Sequence, residues 1–142
     1  MPIQLSADQI KEIAEQLDCG FRCFINRQDT NLIFIPDTNK LLSIDTEAWE
    51  SEINELDNHV GDYLEIEPIG SSDSFLFMEE FIATLDDSNT IKERLRNSIN
   101  KKKPFMHFKF AIDNSGEFRQ KWFDFKKTRI QDWVIARLED EI

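Results

Sequence analysis

Between Lys101 and Phe125 the chain reads KKKPFMHFKFAIDNSGEFRQKWFDF, two aromatic-loaded stretches that meet at an Asn114-Ser115-Gly116 turn. Pro104 suits the first position of a helix, where its missing N–H costs nothing, and Phe105, Phe108 and Ile112 then recur at i, i+3 and i+7. From about Glu117 to Leu138, Phe118, Trp122, Phe125 and Trp133 form one helical stripe, and Phe123, Ile130, Val134 and Leu138 a neighbouring one. Side chains of this size at this period have to be covered by another element, so the stretch commits the chain to two packed helices. The series Phe105, Phe108, Phe110, Phe118, Trp122, Phe123, Phe125 and Trp133 is accordingly assigned to the core. Base-stacking platforms are usually laid on sheets or exposed grooves instead. Met106 and Phe110 fall opposite Phe105, Phe108 and Ile112, and if exposed they mark a protein contact.

The N-terminal half has a different grammar. Ser6 and Gln9 have capping-box spacing, Leu5 and Ile10 the spacing of a hydrophobic staple, and Ile10, Ile13, Ala14 and Leu17 one apolar stripe ending at Gly20. Phe21, Cys23 and Ile25 alternate with polar residues, and after Arg27–Asn31 comes Leu32-Ile33-Phe34-Ile35 closed by Pro36, a β-hairpin. Asp37–Lys40 is a loop and Leu41–Ile44 a short strand or extended link. Asp45 then N-caps a helix carrying Trp49, Ile53, Leu56 and Val60, ended by Gly61. Leu64 and Ile66 alternate with Tyr63, Glu65 and Glu67, a strand whose acidic face has to be solvated or paired. Phe75, Met78, Ile82 and Leu85, with Phe77 and Phe81, mark a helix apolar around much of its surface. Ile91, Leu95 and Ile99 mark another, with Lys92, Arg94 and Arg96 on its outer face.

The expected fold class is α+β, a small antiparallel sheet of 3–4 strands from the N-terminal half with about six helices, the C-terminal half being all helical. The 142 residues are expected to form a single domain. Twelve Phe and three Trp suffice to fill its core without disulfide or metal staples. No stretch approaches the roughly 18 apolar residues of a membrane span, and residues 1–18 lack the basic and apolar regions of a signal peptide, so the expected compartment is the cytoplasm. Cys19 and Cys23 are expected to be reduced thiols, and with only His59 and His107 besides, a structural zinc site lacks ligands.

At this point the residues resemble those of the uncharacterised bacterial protein family numbered 0158. The likeness rests on Tyr63-Leu64-Glu65-Ile66 followed by Ser72, Phe75, Met78 and Phe81, then Pro104-Phe105 with Phe108-Lys109, and finally Trp122, Phe123 and Phe125. Met106-His107 stands where the family pattern has basic residues, and the proline that pattern has before the tryptophan helix is absent. The resemblance implies no activity, catalytic residue or cofactor, because the family has no established function.

Function has to be sought in the charge. The net −11 conceals a division: residues 1–87 hold 4 Lys and Arg against 20 Asp and Glu, a net of −16, whereas residues 88–138 hold 13 against 5, a net of +8. Such asymmetry points to an electrostatic partner, which includes the protein's own other half or a second copy. The leading expectation is a non-enzymatic interaction domain that docks an unidentified macromolecule or itself. The alternative is nucleic-acid binding through Lys101, Lys102, Lys103, Lys109, Arg119, Lys121, Lys126, Lys127 and Arg129, with the helices around Asn114-Ser115-Gly116 loosely following a helix-turn-helix plan. Metal-dependent hydrolysis comes third. It would need His107 or carboxylates such as Glu65, Glu67, Glu79 and Glu80 to converge, and no phosphate-loop or nucleophile-elbow motif accompanies them. No cofactor, metal site, small-molecule ligand or catalytic residue is assigned.

Overall fold

A computed structural model describes residues 3–37 and 46–140. The expected link at Leu41–Ile44, the Asp45 cap and most of the Asp37–Lys40 loop lie outside the described residues. Helix α1 (Ala7–Asp18) begins with the capping box in both directions: Gln9 N–H donates to Ser6 Oγ at 3.1 Å and Ser6 N–H to Gln9 Oε1 at 3.0 Å. Gly20 ends it at φ +92°, a left-handed value that only glycine adopts without strain. Strands β1 (Phe21–Asn26) and β2 (Leu32–Pro36) form the expected hairpin, with Phe24 opposite Ile33. The Asn26 carboxamide accepts from the N–H groups of Gln28 and Asp29 and so pins the turn.

A 3-10 turn (Thr46–Trp49) leads into α2 (Glu50–Asn58) and then β3 (Tyr63–Ile66). β3 pairs antiparallel with β1, giving a three-stranded sheet among the described residues in the order β2-β1-β3. The expected acidic strand face is paired: Arg22 on β1 binds Glu65 on β3 through two hydrogen bonds of 2.8 and 2.9 Å. One expectation fails here. Val60 does not extend the apolar stripe of α2, because the helix ends at Asn58 and leaves Val60 86% exposed.

Four helices follow: α3 (Ser71–Ala83), α4 (Thr90–Ile99), α5 (Pro104–Asp113) and α6 (Phe118–Glu139). The fold is thus α+β, and among the described residues no helix is long and apolar enough to cross a membrane.

The chain gathers into two compact units. The first holds residues up to Ile69 together with the end of α6 from Ile130. Ile13, Ala14 and Leu17 of α1, Cys23 and Ile25 of β1, Leu64 and Ile66 of β3 and Val134 of α6 are buried in it. Cys23 shows what that interior does: burial pushes its thiol up to about 12, aided by the charge of Glu12. Cys19 is exposed.

The second unit spans Gly70–Arg129, and its boundaries do not follow the acidic–basic division of the sequence. Its centre is aromatic. Trp122 of α6 packs edge-on against Phe108 of α5 at 4.9 Å and meets Phe81 of α3 at 5.4 Å, with Phe125 a further 5.4 Å contact to Phe81. Arg129 lies over the Phe77 ring and binds Glu80 through two hydrogen bonds. Two expectations are corrected in this unit. Lys92 is not on the outer face of α4 but only 8% exposed, its ammonium held by Asp87. Phe105 and Phe110 are not core, being 42% and 73% exposed. Helical spacing marks an apolar stripe, but α5 carries apolar residues around too much of its circumference for one neighbour to cover.

Two measurements check this packing. Phe108→Ala is expected to destabilise the protein by about 3–5 kcal/mol in urea unfolding, as buried aromatic truncations do, while Phe110→Ala changes stability by less than about 0.5 kcal/mol. With iodoacetamide at pH 8 the native protein is expected to alkylate rapidly at Cys19 and to protect Cys23 until denaturant is added, as mass spectrometry would read.

Candidate interaction surface on the α4–α5 face

Helix α4 is capped by Asn89, whose carboxamide accepts from Ile91 N–H at 2.8 Å, and it buries Leu95 and Ser98. Ser98 satisfies its hydroxyl by donating to the Leu95 carbonyl. Helix α5 opens with Lys103 at φ +56°, a left-handed conformation that costs a non-glycine residue about 1 kcal/mol, and Pro104 takes the first helical position. That sharp turn sets α5 against α4. Phe108 and Ile112 point inwards and Met106 and Phe110 outwards, Met106 being 55% exposed. Both residues are therefore exposed, Phe110 at 73%.

Between the two helices lies an open cleft of about 380 Å³, lined by Arg94, Asn97, Ser98 and Lys101 on one side and His107, Phe110, Ala111 and Asn114 on the other. Among the described residues no carboxylate lines it. The arrangement is amphipathic: two cations, amide and imidazole donors and acceptors, and an aromatic ring that nothing covers. Lys102 and Lys103 follow Lys101 and are likewise exposed. Arg94, Asn97, Ser98 and Asn114 have no place among the sequence-derived candidates. Their signal was nonetheless present, since Arg94, Asn97, Ser98 and Lys101 repeat at i, i+3, i+4 and i+7, as do His107, Phe110, Ala111 and Asn114. A polar face and an amphipathic one with the same period become a site only when the helices pair.

The other candidate cations are placed differently. Lys109 and Arg119 converge on one carboxylate, Asp113, at 2.8 and 3.1 Å, and Arg119 also covers the Phe123 ring. Lys121 reaches Glu117 at 3.7 Å and lies over Phe118, and Lys126 lies over Trp122 and Phe123. Arg129 is held by Glu80, and Lys127 is exposed. Of the groups weighed for hydrolysis, Glu65 and Glu80 are engaged by arginines and His107 lines a cleft that holds no carboxylate among the described residues. Among the described residues no three His, Cys, Asp or Glu side chains group as metal ligands.

The paired carboxylates leave an electrostatic trace. The hydrogen bond from Lys109, with a second from Arg119, holds the Asp113 carboxyl below the usual carboxylate range, and Lys92 does the same for Asp87. A carboxylate whose folded pKa is depressed contributes stability above its ordinary pKa and loses it as pH falls through the folded value. Carboxyl-detected NMR is expected to show Asp113 titrating below an unpaired aspartate, and Lys109→Ala is expected to move that midpoint back upward.

The comparisons with known proteins agree with the sequence. The family model described as "Uncharacterised protein family (UPF0158)" matches residues 1–142. A UPF0158 protein of Pseudomonas aeruginosa is 28% identical over 104 residues, covering 72% of this chain and 67% of the relative. No solved structure matches the chain.

Proposed function

For this chain, which belongs to the uncharacterised protein family UPF0158, we propose a non-enzymatic role as an interaction domain whose α4–α5 face binds an acidic segment of a partner protein. The observation that carries the reading is the exposed pair Met106 and Phe110 beside a cleft that presents Arg94 and Lys101 and, among the described residues, no carboxylate. An exposed aromatic next to desolvatable cations matches a segment in which Asp or Glu alternates with apolar residues. The ring anchors such a segment and the cations select its charge. On a chain of net charge −11 a local basic face also orients the encounter, since the rest of the surface repels the same partner.

Nucleic acid is the weaker reading. Phosphate contacts need cations that can release counterions, whereas Lys109, Arg119, Lys121 and Arg129 are engaged by carboxylates of their own chain. The reading places the protein in the cytoplasm, where two free cysteines remain reduced.

The test is fluorescence anisotropy of the full chain with three labelled probes: an acidic peptide containing Phe and Leu, the same peptide with Ser at those positions, and a single-stranded RNA of equal charge. The apolar acidic peptide is expected to bind, to weaken with salt, and to lose at least tenfold in affinity with Phe110→Ser and with Arg94→Glu/Lys101→Glu. Equal or tighter RNA binding would overturn the proposal in favour of nucleic acid. Peptide affinity indifferent to these substitutions would overturn it outright. Light scattering across salt concentrations identifies the case in which the acidic segment belongs to a second copy of this chain.

A further inference from the structure

We infer that the cleft between the outer face of the sheet and α2 is a binding site for a small aromatic molecule that is uncharged or cationic. This site uses none of the residues of the α4–α5 face. Its walls are Phe24 and Ile35 from the sheet and Trp49, Ile53 and Leu56 from the opposite side, enclosing about 460 Å³. That volume lies within the range of roughly 300–1,000 Å³ typical of small-molecule pockets.

Three observations shape the ligand. First, α2 buries none of its residues, although Ile53 and Leu56 stand at helical spacing. A short helix is held down by packing of its apolar face, and here that face borders a cleft. An aromatic body between Leu56 and Phe24 supplies the missing contact. Second, the one permanent cation among the cleft's described lining residues is committed: the Arg22 guanidinium donates twice to Glu65, at 2.8 and 2.9 Å. An anionic ligand meets a guanidinium whose charge Glu65 already offsets, so it gains less there than from an unpaired cation. Third, the remaining charged lining is acidic. With Glu65 paired to Arg22, Asp57 is the carboxylate among the described lining residues that Arg22 does not engage, and it accepts a hydrogen-bond donor or a positive charge on the ligand where an anion is repelled. Size, shape and charge thus converge on a flat apolar molecule with a donor edge.

Two nearly isosteric fluorescent probes test this with the full chain: neutral N-phenyl-1-naphthylamine and its anionic relative 8-anilinonaphthalene-1-sulfonate. The neutral probe is expected to bind saturably and at least tenfold more tightly than the sulfonate. Filling the cleft with Leu56→Trp or Ile53→Trp is expected to reduce its affinity at least tenfold with the helical circular dichroism retained. Phe110→Ser is expected to leave it unchanged, which separates this site from the proposed docking face. Val60→Arg keeps the test independent of folding, because it places a cation at the cleft's rim on an exposed residue. It is expected to narrow the preference for the neutral probe by at least threefold. Equal or tighter sulfonate binding to the wild type, neutral-probe affinity unaltered by both filling variants, or loss of binding in Phe110→Ser would each overturn the assignment.

Discussion

Trp122 is the side chain on which the second unit depends. It joins α6 to α5 through Phe108 and to α3 through Phe81, so three helices distant in sequence share one buried ring. Tilted and edge-on aromatic contacts are worth about 0.5–1.5 kcal/mol each beyond the area they bury. Their orientation matters as much as their energy. With Phe108 turned towards Trp122, the geometry of the α-helix places Phe110 about 200° away around the axis, and Met106 about 200° in the other sense. The core contact therefore dictates which apolar side chains of α5 reach solvent, and the candidate docking face follows from the way the interior is filled.

The charges are arranged by the same logic. A sequence with 13 cations against 5 carboxylates between residues 88 and 138 looks like a phosphate-binding stretch. In the folded unit part of that excess is drawn inwards or sideways, Arg129 to Glu80 and Lys92 to Asp87, while Lys109 and Arg119 share Asp113 of the same stretch. Such pairs at or near the surface contribute little to stability, but each commits a cation to its own chain. Among those that stay available is the cluster at the α4–α5 connection, where Lys101, Lys102 and Lys103 crowd a turn too short to include a carboxylate.

Much of the fold was legible because local signals agreed with one another. The Ser6–Gln9 capping box, Gly20 at the end of α1, the hairpin closed by Pro36 and Pro104 at the start of α5 each depend on groups within a few residues, where spacing alone fixes geometry. The misses share a cause. Val60 sits at the right spacing to continue the stripe of α2, but the helix stops two residues earlier. Lys92 looks exterior by type, yet its stem is buried and only its ammonium is met, by Asp87. Phe105 and Phe110 obey helical spacing but stay largely exposed, Phe105 although its ring meets Phe75 edge-on at 6.3 Å, because a stripe says which residues share a face and not how fully another element covers it. Two faces of i, i+3, i+4, i+7 spacing, a polar one on α4 and an amphipathic one on α5, were visible without being recognisable as one cleft.

By itself the sequence determined the family, the α+β class, most of the element order and the imbalance between an acidic first part and a basic second part, since each depends on composition or on contacts within a few residues. Tertiary structure alone decided which cations are neutralised by their own chain, which aromatic rings are buried, and where clefts open between elements. These depend on side-chain pairs as far apart as Glu80 and Arg129 or Arg22 and Glu65. Spacing along the chain carries no information about distance between such pairs, because only the packing of the core brings them together.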